Sequence, residues 1–245
     1  MKNWTHKNFN IHQFKELEST NKTAFEMTSA QKLFDREIIL ADAQTAGKGR
    51  QSRVWSSPQG NLYFSLVLQP QISASKIAQI SFVAITALRL AVEGLDIDQK
   101  IENKWPNDLL VSGKKVAGLL LESKISGDSC QFVILGIGLN LASNPDHTIF
   151  PATNLKDSGV NLSAEEALQK FLNEFEKLYE NWLIYGFSAI RKLWLNKAYR
   201  LQERITIKNA EEQIEGIFSN LDEAGNLILK LENNSLKTIS AADIF

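Results

Sequence analysis

The sequence predicts an α+β protein, a mixed sheet with helices followed by a small β-barrel. Helix-like and strand-like stretches alternate through the first 200 residues, which is the pattern of a mixed domain. After about residue 200 the texture changes to short apolar strands broken by tight turns. Apolar residues at 44% and only 5 prolines mark a globular chain with no low-complexity tail. The expected division is therefore residues 1–200 and residues 201–245. The second part is too small to be very stable alone and is expected to dock on the first.

Ser19 and Thr20 precede a helix-like stretch running to about residue 33, and residues 37–43 read as a strand. Residues 61–69 alternate Leu62, Phe64, Leu66 and Leu68 with Tyr63, Ser65 and Val67, a strand covered on at least one side. Residues 75–93 form a buried helix, with Gly94 expected as a left-handed cap. Leu109 to Val111, a Ser112-Gly113 turn and residues 116–125 read as a hairpin, and residues 131–141 as another strand. Ser163 and Glu166 fit a capping box, after which Leu168, Phe171, Leu172, Phe175, Leu178 and Trp182 recur at helical spacing as core. A shorter helix over about 188–199 follows. The tail then offers four strands, at 204–208, 213–219, 227–231 and 236–240, with turns at Asn209-Ala210, residues 222–225 and Asn233-Asn234.

The formal net charge of -1, from 27 Lys plus Arg and 28 Asp plus Glu, gives no global attraction to nucleic acid or an anionic membrane. Any anion must be met locally. A single cysteine, Cys130, excludes a disulfide framework or a Cys-rich metal site within one chain and fits a reducing compartment. Residues 1–14 lack the basic-then-apolar pattern of a leader, and no uninterrupted apolar run is long enough to span a bilayer, so a cytoplasmic protein is expected.

Two clusters carry possible chemistry. Residues 47–55, Gly-Lys-Gly-Arg-Gln-Ser-Arg-Val-Trp, place three cations and two glycines between two strands, with no apolar anchor expected. Glycine lets backbone N–H groups approach an oxyanion, and Lys48, Arg50 and Arg53 suit carboxylate or phosphate. A mobile anion clamp and a solvated basic loop both fit that composition. It is neither a Walker A loop nor a Rossmann fingerprint. The second cluster, Lys104-Trp105-Pro106-Asn107-Asp108, makes a rigid corner presenting an amide and a carboxylate just before a strand; alone it is an Asx-type turn packed on Trp105. Lys115 then begins the return strand, where backbone order would aim its ammonium at a fixed point. His6, His12 and His147 lie outside both clusters.

Together these motifs resemble class I biotin protein ligases over nearly all of the chain after the first ten residues. The likeness rests on Glu18-Ser19-Thr20-Asn21, on Gln44 with residues 47–55, on residues 104–108 with 115–118, and on Gly136-Ile137-Gly138-Leu139-Asn140, in the family's order and spacing. The resemblance implies a catalytic domain like that of class II aminoacyl-tRNA synthetases with an SH3-like C-terminal domain. It implies ATP and biotin as substrates with Mg²⁺, biotinyl-AMP as intermediate, and transfer to a lysine of the biotin carboxyl carrier domain of a carboxylase such as acetyl-CoA carboxylase. No nucleic acid or membrane partner is expected, and the chain would be a monomer or homodimer.

By the same resemblance, Ser19, Thr20, Asn21 and Gln44 meet the ureido ring of biotin. Gly47, Lys48, Gly49 and Arg50 close over biotin and the acyl-phosphate, with Trp55 in the same binding set. Lys115 neutralises the biotin carboxylate and, with Arg50, is the catalytic candidate. Arg50, Arg53, Lys104, Asn107, Asp108 and Asn140 form the ATP and phosphate set, with Asp108 a candidate Mg²⁺ contact. Gly118 and Asn140 line the floor, and an adenine-covering loop falls between about residues 142 and 156. Lys48 stands where many members have arginine and Ser52 where many have glycine, while residues 241–244 replace a more usual Gly-Glu pair. Three rival readings are a lipoate or octanoyl transferase, a winged-helix DNA-binding regulator and an inactive carrier-binding scaffold. Against them stand, respectively, the Lys104–Asp108 cluster with the SH3-like tail, the mere 18 residues before Ser19, and the joint presence of Arg50, Lys115 and Asp108.

Overall fold

The computed structural model describes residues 1–146, 148, 150–208, 213–240 and 242–244. The expected turn at Asn209-Ala210, together with His147 and Ala241, lies outside the described residues. Strands β1 (Lys2–His6) and β2 (Phe9–Leu17) form an opening hairpin, followed by helix α1 (Thr20–Ser29), β3 (Glu37–Gln44), β4 (Leu62–Leu68) and α2 (Gln79–Glu93). Next come β5 (Ile101–Lys104), β6 (Asp108–Val111), β7 (Lys114–Ser126) and β8 (Ser129–Leu139), then α3 (Ala164–Tyr185) and α4 (Phe187–Leu195). The tail holds β9 (Arg204–Lys208), β10 (Gln213–Leu221), β11 (Leu227–Lys230), β12 (Leu236–Ile239) and β13 (Asp243–Ile244).

The main sheet has the order β1-β2-β3-β4-β8-β7-β6-β5, parallel only between β2 and β3. Alternate residues of a strand face opposite sides, so each strand feeds two cores. Leu62, Phe64, Leu66 and Leu68 join Leu135, Ile137 and Leu139 in a large core with α2, α3 and α4. The opposite parity, Ile39, Val67 and Ile134, meets Ala24 of α1 in a much smaller one. Strand β4 is thus buried on both faces, and the α1 face keeps room for a cavity.

Helix α3 starts where expected, with Ser163 Oγ accepting from the Glu166 N–H and the Glu166 carboxylate accepting from the Ser163 N–H. The Ser163 hydroxyl, donating to the same carboxylate at 2.7 Å, and then the Ser163 N–H hold the Glu166 carboxyl below its ordinary pKa. The stack Phe171, Phe175, Tyr179 and Trp182 runs down its buried face, and burial pushes the Tyr179 phenol up. Residues 74–93 are long and apolar enough, by length and composition, to cross a membrane, and 67% of that stretch's apolar window is buried inside the protein.

Several boundaries differ from the sequence expectation. Helix α1 stops at Ser29 rather than residue 33, because the chain turns at Gln31 with φ 56°. Residues 74–76 form a 3-10 turn, and the α-helix proper begins at Gln79. Gly94 is not left-handed: its φ is -70°, and α2 ends through Gly94 and Leu95 N–H groups donated to Leu90 and Val92 carbonyls. Helix α4 ends at Leu195, not 199, because the following residues pair with β5 through Asn103 N–H to the Lys197 carbonyl and Tyr199 N–H to the Asn103 carbonyl. Strands β1, β2 and β5 were not expected. Strand β1 forms a largely exposed edge, β2 buries Phe9 and Ile11 in the main core, and β5 is buried although Glu102, Asn103 and Lys104 give it no apolar signal.

The tail is a five-stranded antiparallel sheet of SH3-like type, one strand more than expected because β13 pairs with β9. Its Ile205, Ile207, Phe218, Leu227 and Leu229 belong to the same core as α2 and α4. The turn after β10 is the wedge between the two sheets. Trp105 Nε1 donates to the Gly225 carbonyl at 3.0 Å and Gln79 Nε2 to the Glu223 carbonyl at 2.9 Å. Gly225 has φ 88°, and a Cβ there would overlap the Phe82 ring. Gly225→Ala should therefore cost about 2 kcal/mol, combining left-handed strain with overpacking. Equilibrium denaturation with urea checks this, and an unchanged midpoint would show that the turn is not wedged against α2.

Candidate active site

The end of β3, the start of α1, the loop between β3 and β4, and the β5–β6–β7 hairpins converge on one cavity of about 450 Å³. Its floor is set by strand parity. Gly118 on β7 and Gly136 and Gly138 on β8 project toward the α1 face, and Gly118 pairs directly with Gly138. Their neighbours of opposite parity are Leu119, Leu135, Ile137 and Leu139, which fill the main core. A Cβ at Gly136 would overlap the Asn21 amide, and one at Gly138 would overlap the Trp55 indole. The emptied sheet face is where Asn21, Trp55 and a ligand find space.

At one end stands a polar chain. Ser19 caps α1, accepting from the Lys22 N–H at 3.4 Å, and so presents Thr20 and Asn21 at the first turn. Gln44 Oε1 accepts from the Thr20 N–H at 2.8 Å and from the Thr20 hydroxyl at 3.1 Å, while Gln44 Nε2 donates to Ser57 Oγ at 2.9 Å. On the other side Asn21 Nδ2 donates to Glu122 at 2.8 Å, which turns Asn21 Oδ1 to accept from Ser65 Oγ at 2.6 Å. Ser65 is completely buried and also lies 2.8 Å from Thr20 Oγ1. Thr20 donates to Gln44 and its oxygen faces the Ser65 hydroxyl, so at most one lone pair is left for a ligand N–H.

At the other end charge gathers. Lys48, Arg50, Arg53, Lys104 and Lys115 line the cavity against one carboxylate, Asp108, a strong local excess of positive charge in a chain of net charge -1. Lys104 ends β5 and Asp108 begins β6 as direct cross-strand partners, with Trp105, Pro106 and Asn107 as the turn between them. Asp108 also pairs with Gly118, beside the register shift that brings Lys115 opposite Leu110. Lys115 Nζ lies 2.6 Å from Asp108 Oδ1, and Lys104 Nζ 3.9 Å from Oδ2. A pair this buried adds little net stability, because desolvation offsets the attraction. Its effect is to aim two ammonium groups at one point.

The loop over residues 47–55 is itself a small hairpin. Lys48 bridges Val54, the Gly49 N–H donates to the Arg53 carbonyl at 2.7 Å, and the Trp55 N–H to the Gly47 carbonyl at 2.9 Å. The expectation that it lacks an apolar anchor is corrected by Trp55, whose ring covers Gly118 and Gly138 and sits 5.2 Å from Lys115 Nζ. The Trp55 Nε1 is buried with no hydrogen-bond partner among the described residues. Arg50 reaches across to Asn107 Oδ1 at 3.3 Å, and Arg53 donates to Gln51 Oε1 at 2.8 Å. Ser52 has φ 60°, the left-handed region where glycine is cheapest, so serine at this position costs about 1 kcal/mol of backbone strain.

Of the residues given a binding or catalytic role from the sequence, Gly47 alone does not line the cavity; it lies behind the wall, where a Cβ would come within 2.5 Å of Ser57 Oγ. Asn140 holds the rim, its Nδ2 donating to the Thr153 carbonyl at 3.0 Å. Ser57, Ser65, Glu122 and Phe150 were not foreseen. Ser65 was visible as a hydroxyl in an apolar strand; Glu122 and Phe150 gave no local signal. Phe150 places its ring 4.1 Å from Lys104 Nζ. No group of three or more His, Cys, Asp or Glu suited to a metal occurs among the described residues.

Residues 14–140 match the Biotin/lipoate A/B protein ligase family and residues 201–245 the Biotin protein ligase C terminal domain. The chain is 39% identical over 236 residues to the biotin–[acetyl-CoA-carboxylase] ligase of Paracoccus denitrificans, covering 93% of this chain and 97% of that one. It is 35% identical over 238 residues to the bifunctional ligase/repressor BirA of Bacillus subtilis, covering 93% and 71%. Among solved structures it is similar to the biotin protein ligase of Aquifex aeolicus in complex with biotin and ATP, with a TM-score of 0.81, 28% identity and 96% and 97% coverage.

Gly138→Ala should push the Trp55 indole off the floor while leaving the core intact, since the added methyl faces the cavity. The expected result is a changed intrinsic tryptophan emission at a melting temperature within a few degrees of wild type. Emission identical to wild type would show that Trp55 does not rest on Gly138.

Proposed function

The chain belongs to the Biotin/lipoate A/B protein ligase family, and on that premise we propose that its cavity activates biotin with ATP and passes it to one lysine of a biotin carboxyl carrier domain. The observation that carries this reading is the meeting of Lys115, Lys104 and Arg50 around Asp108 and Asn107, with a neutral hydrogen-bonding recess at Thr20 and Gln44 in the same cavity. One end suits an uncharged ring with N–H groups; the other suits anions.

In the first step a biotin carboxylate oxygen attacks the α-phosphorus of ATP. The bond from that phosphorus to the oxygen bridging to the β-phosphate breaks, and pyrophosphate leaves with the electron pair. Two anions must approach each other, so the work lies in positioned positive charge and orientation rather than in a covalent nucleophile. Lys115, held by Asp108 and by its place at the start of β7, is assigned to the carboxylate and to the charge developing on the phosphorus. Arg50 and Lys104 are assigned to the phosphates, with Arg53 and Asn107 beside them. Ser19, Thr20, Asn21 and Gln44 are assigned to the ureido ring, Lys48 and Gly49 to the closing loop, and Trp55, Gly118 and Asn140 to the walls and floor. In the second step the carrier's neutral lysine amine attacks the acyl carbon, the acyl C–O bond breaks, AMP leaves and the amine proton goes to solvent.

Asp108 faces one or other ammonium with each of its oxygens, and among the described residues no second acid joins it in lining the cavity. Those residues do not make an all-protein Mg²⁺ site. Mg²⁺ fits better as the companion of the ATP phosphates, which supply most of its oxygens. We assign residues 1–200 to the catalytic domain and 201–245 to the SH3-like domain, and we place the protein in the cytoplasm, where ATP and carboxylases are found.

The test is pyrophosphate release by the purified protein with ATP and either biotin or lipoate; turnover with lipoate only would sink the proposal. Lys115→Ala should keep the fold and lose most adenylation, by about a hundredfold or more, as expected for a group acting on developing charge. Wild-type rates in that variant would remove Lys115 from the chemistry. Arg50→Gly should shorten retention of biotinyl-AMP and increase labelling of non-cognate lysines. A release rate equal to wild type in a filter-binding chase would show that the loop is not a clamp.

A further inference from the structure

Asn61 lies just before β4, in the stretch that sequence patterning assigns to the strand, and is 2% exposed. Among the described residues it is the most heavily engaged side-chain carbonyl outside the polar recess. Its Oδ1 accepts from three consecutive backbone N–H groups, Leu141 and Ala142 at 2.8 Å and Ser143 at 3.2 Å, while its Nδ2 donates to the Ser143 carbonyl at 2.9 Å. Gly60 beside it, at φ 97°, brings the backbone so close that a Cβ would lie 3.3 Å from the Ala142 Cβ.

The three N–H groups mark the point where the chain leaves β8 and starts across the cavity mouth. This strap then contributes Pro145, Thr148, Phe150 and Ala152 to the lining. Its return limb is held separately. The Lys115 N–H donates to the Pro151 carbonyl at 2.7 Å, the Thr153 N–H to the Lys115 carbonyl at 2.9 Å, and Asn140 Nδ2 to the Thr153 carbonyl. Asn61 therefore acts on the outgoing limb from the β4 side, where Asn154 Nδ2 also donates to Asn144 Oδ1 at 2.7 Å, while Lys115 is steadied from the return limb.

Resting on the adenylation reading, the order of groups in the substrates says what the strap covers. The acid's ring occupies the Thr20 and Gln44 end, its carboxylate meets the α-phosphate among the cations, and the nucleoside must continue away from the acid. The strap, whose Phe150 ring caps Lys104 and whose return limb flanks Lys115, borders those cations with mostly apolar side chains, the surface an adenine ring favours. We infer that Asn61 is a positioning residue that holds the strap over the adenosine moiety of ATP, and so sets nucleotide affinity without touching nucleotide or biotin.

The test compares wild type, Asn61→Ala and Asn61→Asp, titrating ATP and biotin separately by calorimetry and measuring pyrophosphate release. Asn61→Ala should weaken ATP binding and raise the KM for ATP about tenfold, the consequence of freeing three N–H groups at once, the Leu141 one buried, with biotin affinity and kcat within about threefold of wild type. Asn61→Asp keeps the acceptor and loses the donor, so its ATP affinity should lie between the two. ATP binding unchanged in Asn61→Ala, or ATP and biotin binding lost together, would overturn the inference, the second result meaning that Asn61 only supports the fold. An Asp variant no better than Ala would also overturn it. A wild-type protein that binds ATP but never activates biotin would refute the proposed function instead, and the ATP titrations would still decide the role of Asn61.

Discussion

Everything in the cavity depends on a patch of sheet from which side chains have been removed. Gly118, Gly136 and Gly138 sit on one face of two paired strands whose other face carries leucine and isoleucine into the main core. Because successive side chains point to opposite sides, the same two strands close a core beneath and open a floor above. Asn21 and Trp55 enter that space, which seats the first turn of α1 over Gly136 and brings the loop after β3 to within reach of Lys115. A methyl group at either β8 glycine would displace one of them, so the geometry of two distant loops is written into the absence of Cβ atoms.

The electrostatics follow from the same framework. The molecule carries almost no net charge, yet among the described residues five cations and one carboxylate face a single cavity. Long-range attraction to anions is therefore weak, and selectivity comes from short distances in a partly dry space, where each charge acts more strongly than in water. Asp108 keeps Lys104 and Lys115 converging despite their mutual repulsion. The neutral recess at Thr20, Gln44, Ser57 and Ser65 divides the cavity into a part that reads hydrogen-bond direction and a part that reads charge.

The small C-terminal sheet is tied to this arrangement through the turn that carries the Lys104–Asp108 pair. Trp105, in that turn, is buried and donates to the Gly225 carbonyl of the other sheet. Burying one such indole contributes a few kcal/mol, comparable to what a unit of about 45 residues can muster alone. The docked sheet thus underpins the corner from which Asn107 and Asp108 project, and both sheets share one apolar core.

Much of this was legible in the residue order. The capping box at Ser163, the helical spacing of the α3 aromatics, the strand around Phe64 and the change of texture near residue 200 are local signals, and local signals survive without tertiary context. The motifs at residues 18–21, 47–55, 104–108, 115–118 and 136–140 likewise carried the chemistry, because glycines, cations and a carboxylate at fixed spacing restrict what a loop or hairpin can bind. Edge strand β1 and polar β5 were hidden, since neither shows an apolar alternation and each becomes a strand only through its neighbour. Sequence by itself determined most of the elements, the charged groups and the family they resemble. Only the tertiary structure decided that Glu122 orients Asn21, that Trp55 rests on Gly138, and that Asn61 grips the strap. The physical reason is that each of these joins residues tens of positions apart through strand register, and register is set by the packing of the whole sheet rather than by any one stretch of chain.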